Sequence, residues 1–237
     1  MERISGCRVL EATILAVGIL LVGYFIKSGI DDYAEKDRQV TVKGLAEREV
    51  AADKVTWPIS MKETDDDLPK LYARMEAKEK AVRDFLVQNG VKPSDIMGNA
   101  PSVVDLRAEQ YSGQSHASRY IVTSAITVTS HDVQLVRKLM ARQGELLQKG
   151  IAVVAGGYDM PTTYEYESFQ QLKPKLMEEA IANAEKTAGL FAQSSHSKID
   201  RILRASQGQF SIEDRDRNTP YIKKIRVVTT ITYSLRD

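Results

Sequence analysis

The chain has 237 residues, 43% of them hydrophobic, with a formal net charge of +1 and a single cysteine. This length supports one large domain or two small ones with an adequate core. Nucleic-acid-binding proteins normally present a basic face, so the balanced charge argues against a nucleic-acid partner. The one cysteine, Cys7, lies close to the N-terminus, so the rest of the chain has no disulfide and no thiol nucleophile.

The first predicted element is a membrane anchor within residues 1–30. Residues 9–30 read VLEATILAVGILLVGYFIKSGI, and the charge-free run 12–26 is about 22 Å long as a helix. The flanking residues extend the segment to the thickness of a bilayer, provided that the Lys27 side chain reaches the headgroups. Arg3 and Arg8 precede the segment and acidic residues follow it, so the positive-inside rule leaves the N-terminus in the cytoplasm and exports the remainder.

The alternative for this segment is a cleavable signal peptide, whose apolar region has a similar length. No Ala-x-Ala pattern follows the run, which favours an uncleaved anchor. Cys7 precedes the run, so acylation of the lipoprotein type is not predicted. The prediction is therefore a protein that spans a membrane once through residues 9–30. Residues 31–38 would be a polar spacer, and residues 39–237 an exported domain.

The first half of the predicted domain contains four strands and one helix. Pro58 lacks a backbone N–H, which predicts an edge strand or a bulge in the second strand. Asn89-Gly90 predicts the end of the helix. Alternation of apolar and polar residues predicts strands at 39–50 and 54–63, and strands at 95–108 and 118–130 that are joined by a polar loop at 109–116. Apolar residues spaced three and four apart predict a helix at 67–89.

The second half repeats the same kinds of element. Asp132 is expected near the N-terminus of a helix that Gly150 ends, and the longest helix carries an apolar stripe at Leu172, Leu176, Ala180, Ala184, Ala188 and Phe191. Small residues in this stripe permit close approach to a sheet or to another subunit. The remaining predicted elements are strands at 151–155 and 162–167, the long helix at 169–193, and a closing hairpin of strands 198–208 and 222–235, with the charged segment 213–217 at its tip.

This order reads ββαββ, a helix, and ββαββ again. Segments 89–96 and 196–202, which follow the two long helices, resemble each other, as an internal duplication would produce. The segregation of strands and helices predicts an α+β fold, in which helices pack on one face of antiparallel sheets.

A search for catalytic and ligand-binding patterns finds none. The chain has no Gly-rich phosphate loop, HExxH, CxxC or Gly-x-Ser-x-Gly motif, so no catalytic residue, cofactor or metal site is predicted. His116, His131 and His196 lack the spacing of metal ligands. The acidic run 65–67 precedes a helix, where it fits a capping role better than calcium binding.

One segment has the composition of an interface. Tyr158, Tyr164, Tyr166 and Phe169 lie close together in a stretch that contains Gly and Pro, and aromatic side chains are enriched at interfaces. The alternative is that these rings pack in the core or on a sheet face. We therefore take the four residues as a candidate interface for self-association or for a protein partner.

Three stretches carry a resemblance to a known family. They are the opening strand VTVKGLAEREVAADKVTW, the helix AIANAEKTAGLFA with the following SQGQFSI, and the closing strand IKKIRVVTTITYSL. Together they resemble the SIMPL-domain family of bacterial envelope proteins over residues 39–235. The family's usual Gly after the helix is replaced here around Ser194-Ser195-His196. The resemblance implies an α+β domain in the periplasm or at the membrane, a loose link to oxidative-stress tolerance, and no catalytic residues to carry over.

Together with this resemblance, the anchor predicts a protein of the bacterial inner membrane with its C-terminal domain in the periplasm. We expect it to be a non-enzymatic envelope protein that acts by self-assembly or partner binding, and we expect homo-oligomers. The strand edge at Pro58 and the tyrosine segment would supply the contacts. The alternative is a periplasmic hydrolase or small-ligand-binding protein, whose site would combine His116, His131 or His196 with a distant carboxylate. A third hypothesis, a pore-forming assembly, has less support because the strands lack long lipid-facing alternation.

Overall fold

The computed structural model describes residues 13, 15–30, 38–108, 118–154 and 160–236. Contacts divide the chain into two compact units. Unit 1 contains the described residues of Met1–Arg48, Lys173–Ser211 and Arg226–Asp237, and unit 2 those of Glu49–Leu172 and Ile212–Ile225. The predicted hairpin loop 109–116 and most of the predicted spacer lie outside the described residues.

The described chain contains five α-helices and ten strands. A helix at residues 15–30 is α1. The later elements are β1 (Gln39–Ala51), β2 (Lys54–Asp65), α2 (Leu68–Gln88), a 3₁₀ turn (Pro93–Asp95), β3 (Ile96–Gly98), β4 (Ser102–Asp105), β5 (Tyr120–Ser130), α3 (Val133–Ala141), α4 (Gly144–Gln148), β6 (Val153–Val154), β7 (Thr163–Glu165), α5 (Phe169–Ser194), β8 (Lys198–Gln207), β9 (Ser211–Asp214) and β10 (Ile222–Arg236).

Helix α1 exposes its apolar side chains. Its large hydrophobic residues, from Leu15 to Ile30, are between 50% and 73% exposed. Among the residues that the structure describes, no helix combines the length and the apolar content needed to cross a membrane. Residues 9–12 and 14 of the predicted anchor lie outside the described part of the chain.

Two sheets organise the strands. The four-stranded sheet has the order β1-β10-β8, and β9 also pairs with β10. The six-stranded sheet has the order β3-β5-β2-β6, with β4 also on β5 and β7 also on β2. The pairs β8–β10 and β2–β5 are antiparallel, as are the four pairs that the short strands form with β2 and β5. The predicted α+β class with antiparallel sheets is thus confirmed.

Unit 2 has the larger core, in which α2 and α3 cover β2 and β5. The spacing in α2 places Leu71, Met75 and Val82 in this core, where all three are fully buried. The Asp67 side chain accepts a hydrogen bond from the Lys70 N–H, and Gly90 follows the helix with φ +93°. The predicted start and stop of α2 are therefore confirmed.

Unit 1 is built on close contact between α5 and β1. Leu176, Ala180, Ala184, Ala188 and Ala192 are the buried residues of α5. A Cβ added to Gly44 in β1 would lie 1.9 Å from the Ala180 carbonyl oxygen and 2.6 Å from the Ala184 nitrogen. The alanine stripe thus allows the helix backbone to lie against the strand, as expected from its small residues. The stripe continues to Ala192 because of the i, i+4 spacing, whereas Phe191, which the sequence assigned to it, is exposed.

The edge-strand prediction for Pro58 is wrong. Strand β2 pairs with β5 in unbroken register from Val55 to Asp65, and Pro58 is buried opposite Thr127. On the other side of β2, β7 pairs with Lys54–Thr56 and β6 with Ser60–Met61, so the proline lies between two short partners. A missing N–H is tolerated there because neither short strand pairs with residue 58.

Two other predicted elements are divided in the structure. The predicted strand at 95–108 is the 3₁₀ turn followed by β3 and β4, and the predicted helix after Asp132 is α3 followed by α4. Asp132 caps α3 as expected, by accepting a hydrogen bond from the Leu135 N–H at 2.9 Å. Gly150 follows α4 with φ +75°, which a glycine adopts at little cost.

Candidate functional site

The predicted tyrosine interface is partly a core element. Tyr164 lies in β7 and packs against the core of unit 2, and its hydroxyl donates to the Met140 sulfur at 3.6 Å. Its ring meets Tyr221 edge-on, with 6.2 Å between centroids. Burial raises the pKa of Tyr164. Tyr166 and Phe169 are partly exposed, and Tyr158 lies outside the described residues.

A polar cluster fixes the segment that follows β7. We call it the Asp53 cluster: Asp53, Lys54, His131, Glu165 and Glu167. The Asp53 carboxylate accepts hydrogen bonds from the backbone N–H groups of Glu167 at 2.7 Å and of Ser168 at 2.8 Å. Lys54 pairs with Glu167 at 2.7 Å and with Glu165 at 3.3 Å. The pairing of β7 with β2 places Glu165 opposite Lys54 and so brings the cluster together.

The charges in this cluster are mutually stabilised. The Lys54 ammonium, and then His131, hold the pKa of Glu167 below its ordinary value. Burial by itself would raise the pKa of Asp53. The hydrogen bonds from Ser168 and Glu167 together outweigh that effect, so the pKa of Asp53 is lowered. Both carboxylates are therefore held in the anionic form, which suits a structural role better than that of a general acid.

Of the two histidines that the structure describes, His131 lies next to a carboxylate. His131 Nε2 lies 3.1 Å from the Glu167 Oε2 atom, and the His131 side chain is 74% exposed. His131 also borders a cavity of about 240 Å³, lined by Gly90, Val91, Lys92, Asp95, Ser130, His131, Asp132 and Leu135. Glu167 is not among these lining residues. His116 lies outside the described residues.

His196 has a conformational role. It has φ +54°, the only positive φ of a non-glycine residue in the described chain, and it follows the C-terminus of α5. The Ser197 N–H donates back to the Ala192 carbonyl at 2.8 Å, which closes a helix end of the Schellman type. His196 therefore occupies the position where glycine is preferred. The His196 side chain is exposed.

Ligand groups for a metal do not converge in the described part of the chain. No group of three or more His, Cys, Asp or Glu side chains there has the geometry to hold an ion. The acidic run that precedes α2 acts as expected for a helix start, since Asp67 caps α2 and Asp65 pairs with Arg74 at 2.7 Å.

The most exposed regular element after α1 is β8. It lies at one edge of the four-stranded sheet, and every residue except Ile199 is exposed. Two register irregularities interrupt its pairing with β10, so Arg204–Gln207 is the longest stretch that pairs without a break. Its sequence KIDRILRASQ lacks the alternation of a half-buried strand, and this was the available sign that both of its faces are uncovered.

A second exposed surface lies at the C-terminal end of α5. Leu190 and Phe191 are each 58% exposed. A groove of about 430 Å³ runs between this end of α5 and the start of β8, lined by Lys186, Gly189, Leu190, Ala192, Gln193, Ser197, Lys198 and Ile199. The sequence prediction assigned Phe191 to the buried stripe, so this surface was missed.

Comparison with known proteins identifies the family. A family profile named SIMPL, described as "Protein of unknown function (DUF541)", matches residues 40–233. Sequence comparison with curated proteins gives no significant match. The profile match spans both the sheet that carries β8 and the unit that carries the Asp53 cluster. The chain therefore belongs to the SIMPL (DUF541) family.

Proposed function

We propose that the protein is a membrane-tethered periplasmic module that acts without catalysis, by self-assembly or by binding a protein partner. The observation that carries the tether is the exposure of α1. Ten large hydrophobic side chains between residues 15 and 30 stay outside any core of the described chain. The transfer of such an apolar helix from water to lipid lowers its free energy.

The proposed span is longer than α1 itself. Residues 15–30 rise by about 24 Å as a helix, and the full segment 9–30 would rise by about 33 Å, close to the roughly 30 Å of a hydrocarbon core. Arg3 and Arg8 on one side, with acidic residues on the other, support a cytoplasmic N-terminus and a periplasmic domain. Tolerance of envelope or oxidative stress, as the family resemblance implies, would be an indirect consequence of this binding role.

The tether can be tested by introducing a charge. Leu20 is 73% exposed in α1. The wild-type protein should stay in the membrane fraction after alkaline extraction, whereas Leu20→Arg should be released. Arginine at the centre of a spanning helix raises the free energy of insertion by about 2.5–3.5 kcal/mol. Leu20→Ala is the matched control and should stay bound.

Two further measurements test the orientation and the retention of the anchor. A β-lactamase fused to the C-terminus should confer ampicillin resistance, because the enzyme protects the cell only when it lies in the periplasm. Intact mass spectrometry should find the N-terminal segment present, and its cleavage would refute the anchor.

Strand β8 supports the assembly part of the proposal. One edge of β8 pairs with β10, and its other edge has no strand partner in the described chain. Ile202 in this strand is 55% exposed. In an antiparallel pair of β8 strands centred on Ile202, Asp200 would face Arg204 of the second copy, so the charges would be complementary. The interrupted register of β8 limits open-ended pairing, which favours a closed dimer over a fibre.

Light scattering of the full-length protein in detergent tests this assembly. Ile202→Arg should lower the mass of the particle, because it places two arginines, one from each copy, opposite each other at the centre of the proposed pair. Tyr72→Arg is the control, since Tyr72 is an equally exposed apolar residue on α2. A monomeric wild-type protein, or the same oligomer in both variants, would refute assembly through β8.

The second candidate is a hydrolase or ligand-binding site at His131. The hydrogen bond to Glu167 and the adjoining cavity favour it. The exposure of His131 opposes it, because nothing there excludes water from a reacting group. Hydrolysis of p-nitrophenyl acetate that is abolished in His131→Ala, with unfolding unchanged, would support this candidate over the binding module.

A further inference from the structure

The chain joins the folded part of unit 1 at the end that carries the C-terminus of α5. The Arg38 carbonyl accepts a hydrogen bond from the Leu235 N–H at 2.9 Å, and the Arg38 guanidinium donates to the Ser197 hydroxyl at 3.2 Å. The Ser197 N–H in turn donates a hydrogen bond to the Ala192 carbonyl of α5. The start of β1, the end of β10 and the C-terminus of α5 therefore lie together.

This same end exposes apolar side chains next to cations. Leu190 and Phe191 project from the last turns of α5, and the adjoining groove is bordered by Lys186 and Lys198. All four residues are exposed. Apolar side chains flanked by lysines are typical of surfaces that rest in the headgroup region of a bilayer, where the apolar groups reach the acyl boundary and the cations meet phosphate.

The length of the intervening chain keeps this end near α1. Seven residues separate the end of α1 at residue 30 from Arg38, so a fully extended connection spans at most about 28 Å. A short tether of this kind raises the effective concentration of the surface at the membrane, so that weak contacts suffice for docking. A second membrane or a partner free in solution would not be held at this high effective concentration.

We propose that the α5 end of unit 1, formed by Lys186, Leu190, Phe191 and Lys198, docks on the headgroup region of the membrane that holds α1. The occupant is an anionic lipid surface. The inference rests on the proposed tether. It goes further because it states which end of unit 1 faces the lipid, and it leaves the part of β8 around Ile202 to other contacts.

The test uses full-length protein with one cysteine at a time. In a Cys7→Ser background, Gly18→Cys, Ile181→Cys and Leu190→Cys would each carry a nitrobenzoxadiazole fluorophore. The proteins would be reconstituted into vesicles of phosphatidylcholine and phosphatidylglycerol. Ile181 is the matched control, because it is an exposed aliphatic residue on the same helix, about 13 Å before Leu190.

Spin-labelled lipids and aqueous iodide then report the location of each probe. We expect the probe at Leu190 to be quenched by a headgroup-region spin label and protected from iodide, and the probe at Ile181 to show the reverse. The probe at Gly18 should be quenched by a spin label deep in the bilayer. Replacing Lys186 and Lys198 with Gln should weaken docking about fivefold per cation on anionic vesicles, whereas Lys175→Gln should leave it unchanged.

Each outcome separates the two proposals. An unquenched probe at Gly18 would refute the tether itself. A quenched probe at Gly18 with an iodide-accessible probe at Leu190 would refute docking and leave the tether intact. A probe at Leu190 that is shielded from both quenchers would show a protein, such as a second copy, on this surface, and would overturn the lipid assignment.

Discussion

Replacing Gly44 with alanine should disrupt unit 1. The new Cβ would lie 1.9 Å from the Ala180 carbonyl oxygen, 2.6 Å from the Ala184 nitrogen and 2.8 Å from the Ala184 Cβ. The nearest two atoms belong to the helix backbone, so no side-chain rotation relieves the overlap. Helix α5 would have to move away from β1 by about 1.5 Å to restore an ordinary contact.

The cost of this overlap can be placed at the upper end of the range for overpacking. Extra methyl groups in well-packed cores cost about 1–3 kcal/mol when flexible side chains can adjust, and more when they cannot. We therefore expect Gly44→Ala to cost about 3 kcal/mol or more, which for a domain of this size lowers Tm by about 6–12 °C.

The assay is thermal and urea unfolding followed by far-ultraviolet circular dichroism. Gly144→Ala is the matched control, because its added Cβ meets nothing within 4 Å. It should leave stability unchanged or raise it slightly, since alanine is the better helix former in α4. Adding Ala184→Gly to Gly44→Ala should not restore stability, because the Ala180 oxygen remains in place. If Gly44→Ala unfolded like the control, the described contact between α5 and β1 would be wrong.

Substitutions at four further residues test other contacts. Tyr164→Ala should cost about 2–3 kcal/mol in urea unfolding and Tyr164→Phe less than about 1 kcal/mol, because the partly buried ring packs against the core and the hydroxyl makes one weak hydrogen bond to sulfur; equal effects would argue against a core role. Asp53→Ala should cost about 1–3 kcal/mol by removing the acceptor of two N–H groups. Because the pKa of Asp53 is lowered on folding, its contribution should be present above the unfolded pKa and lost as the pH falls through the folded pKa. The pKa of Asp216, about 2, should rise in Thr219→Ala, since the Thr219 hydroxyl is the largest cause of its depression; a carboxyl titration by NMR measures it. His196→Gly should raise stability by about 0.5–1 kcal/mol in urea unfolding, because glycine adopts a φ of +54° without strain; a loss would show that the imidazole has a role of its own.

Local sequence patterns determined where individual helices and strands begin and end. Helix α2 begins at a capping Asp67 and ends before Gly90, and its apolar spacing leaves one face to bury, so its bounds could be predicted to within a residue or two. Alternation likewise predicted the strand at 118–130, and in β5 the alternating residues Val122, Ile126 and Val128 are buried. Family membership could also be inferred from sequence, because the opening strand, the alanine helix and the closing strand carry its pattern.

Tertiary structure decided every contact between distant parts of the chain. Pro58 allows an edge strand, but the fold places β2 between β5 on one side and the short strands β6 and β7 on the other. Tyr164 and Phe191 have similar local signals, yet one is packed and the other exposed because only one faces a neighbouring element. Asp53 meets the backbone of Glu167 only through the pairing of β7 with β2. No spacing in the sequence encodes that meeting, because burial depends on which surfaces the fold brings together.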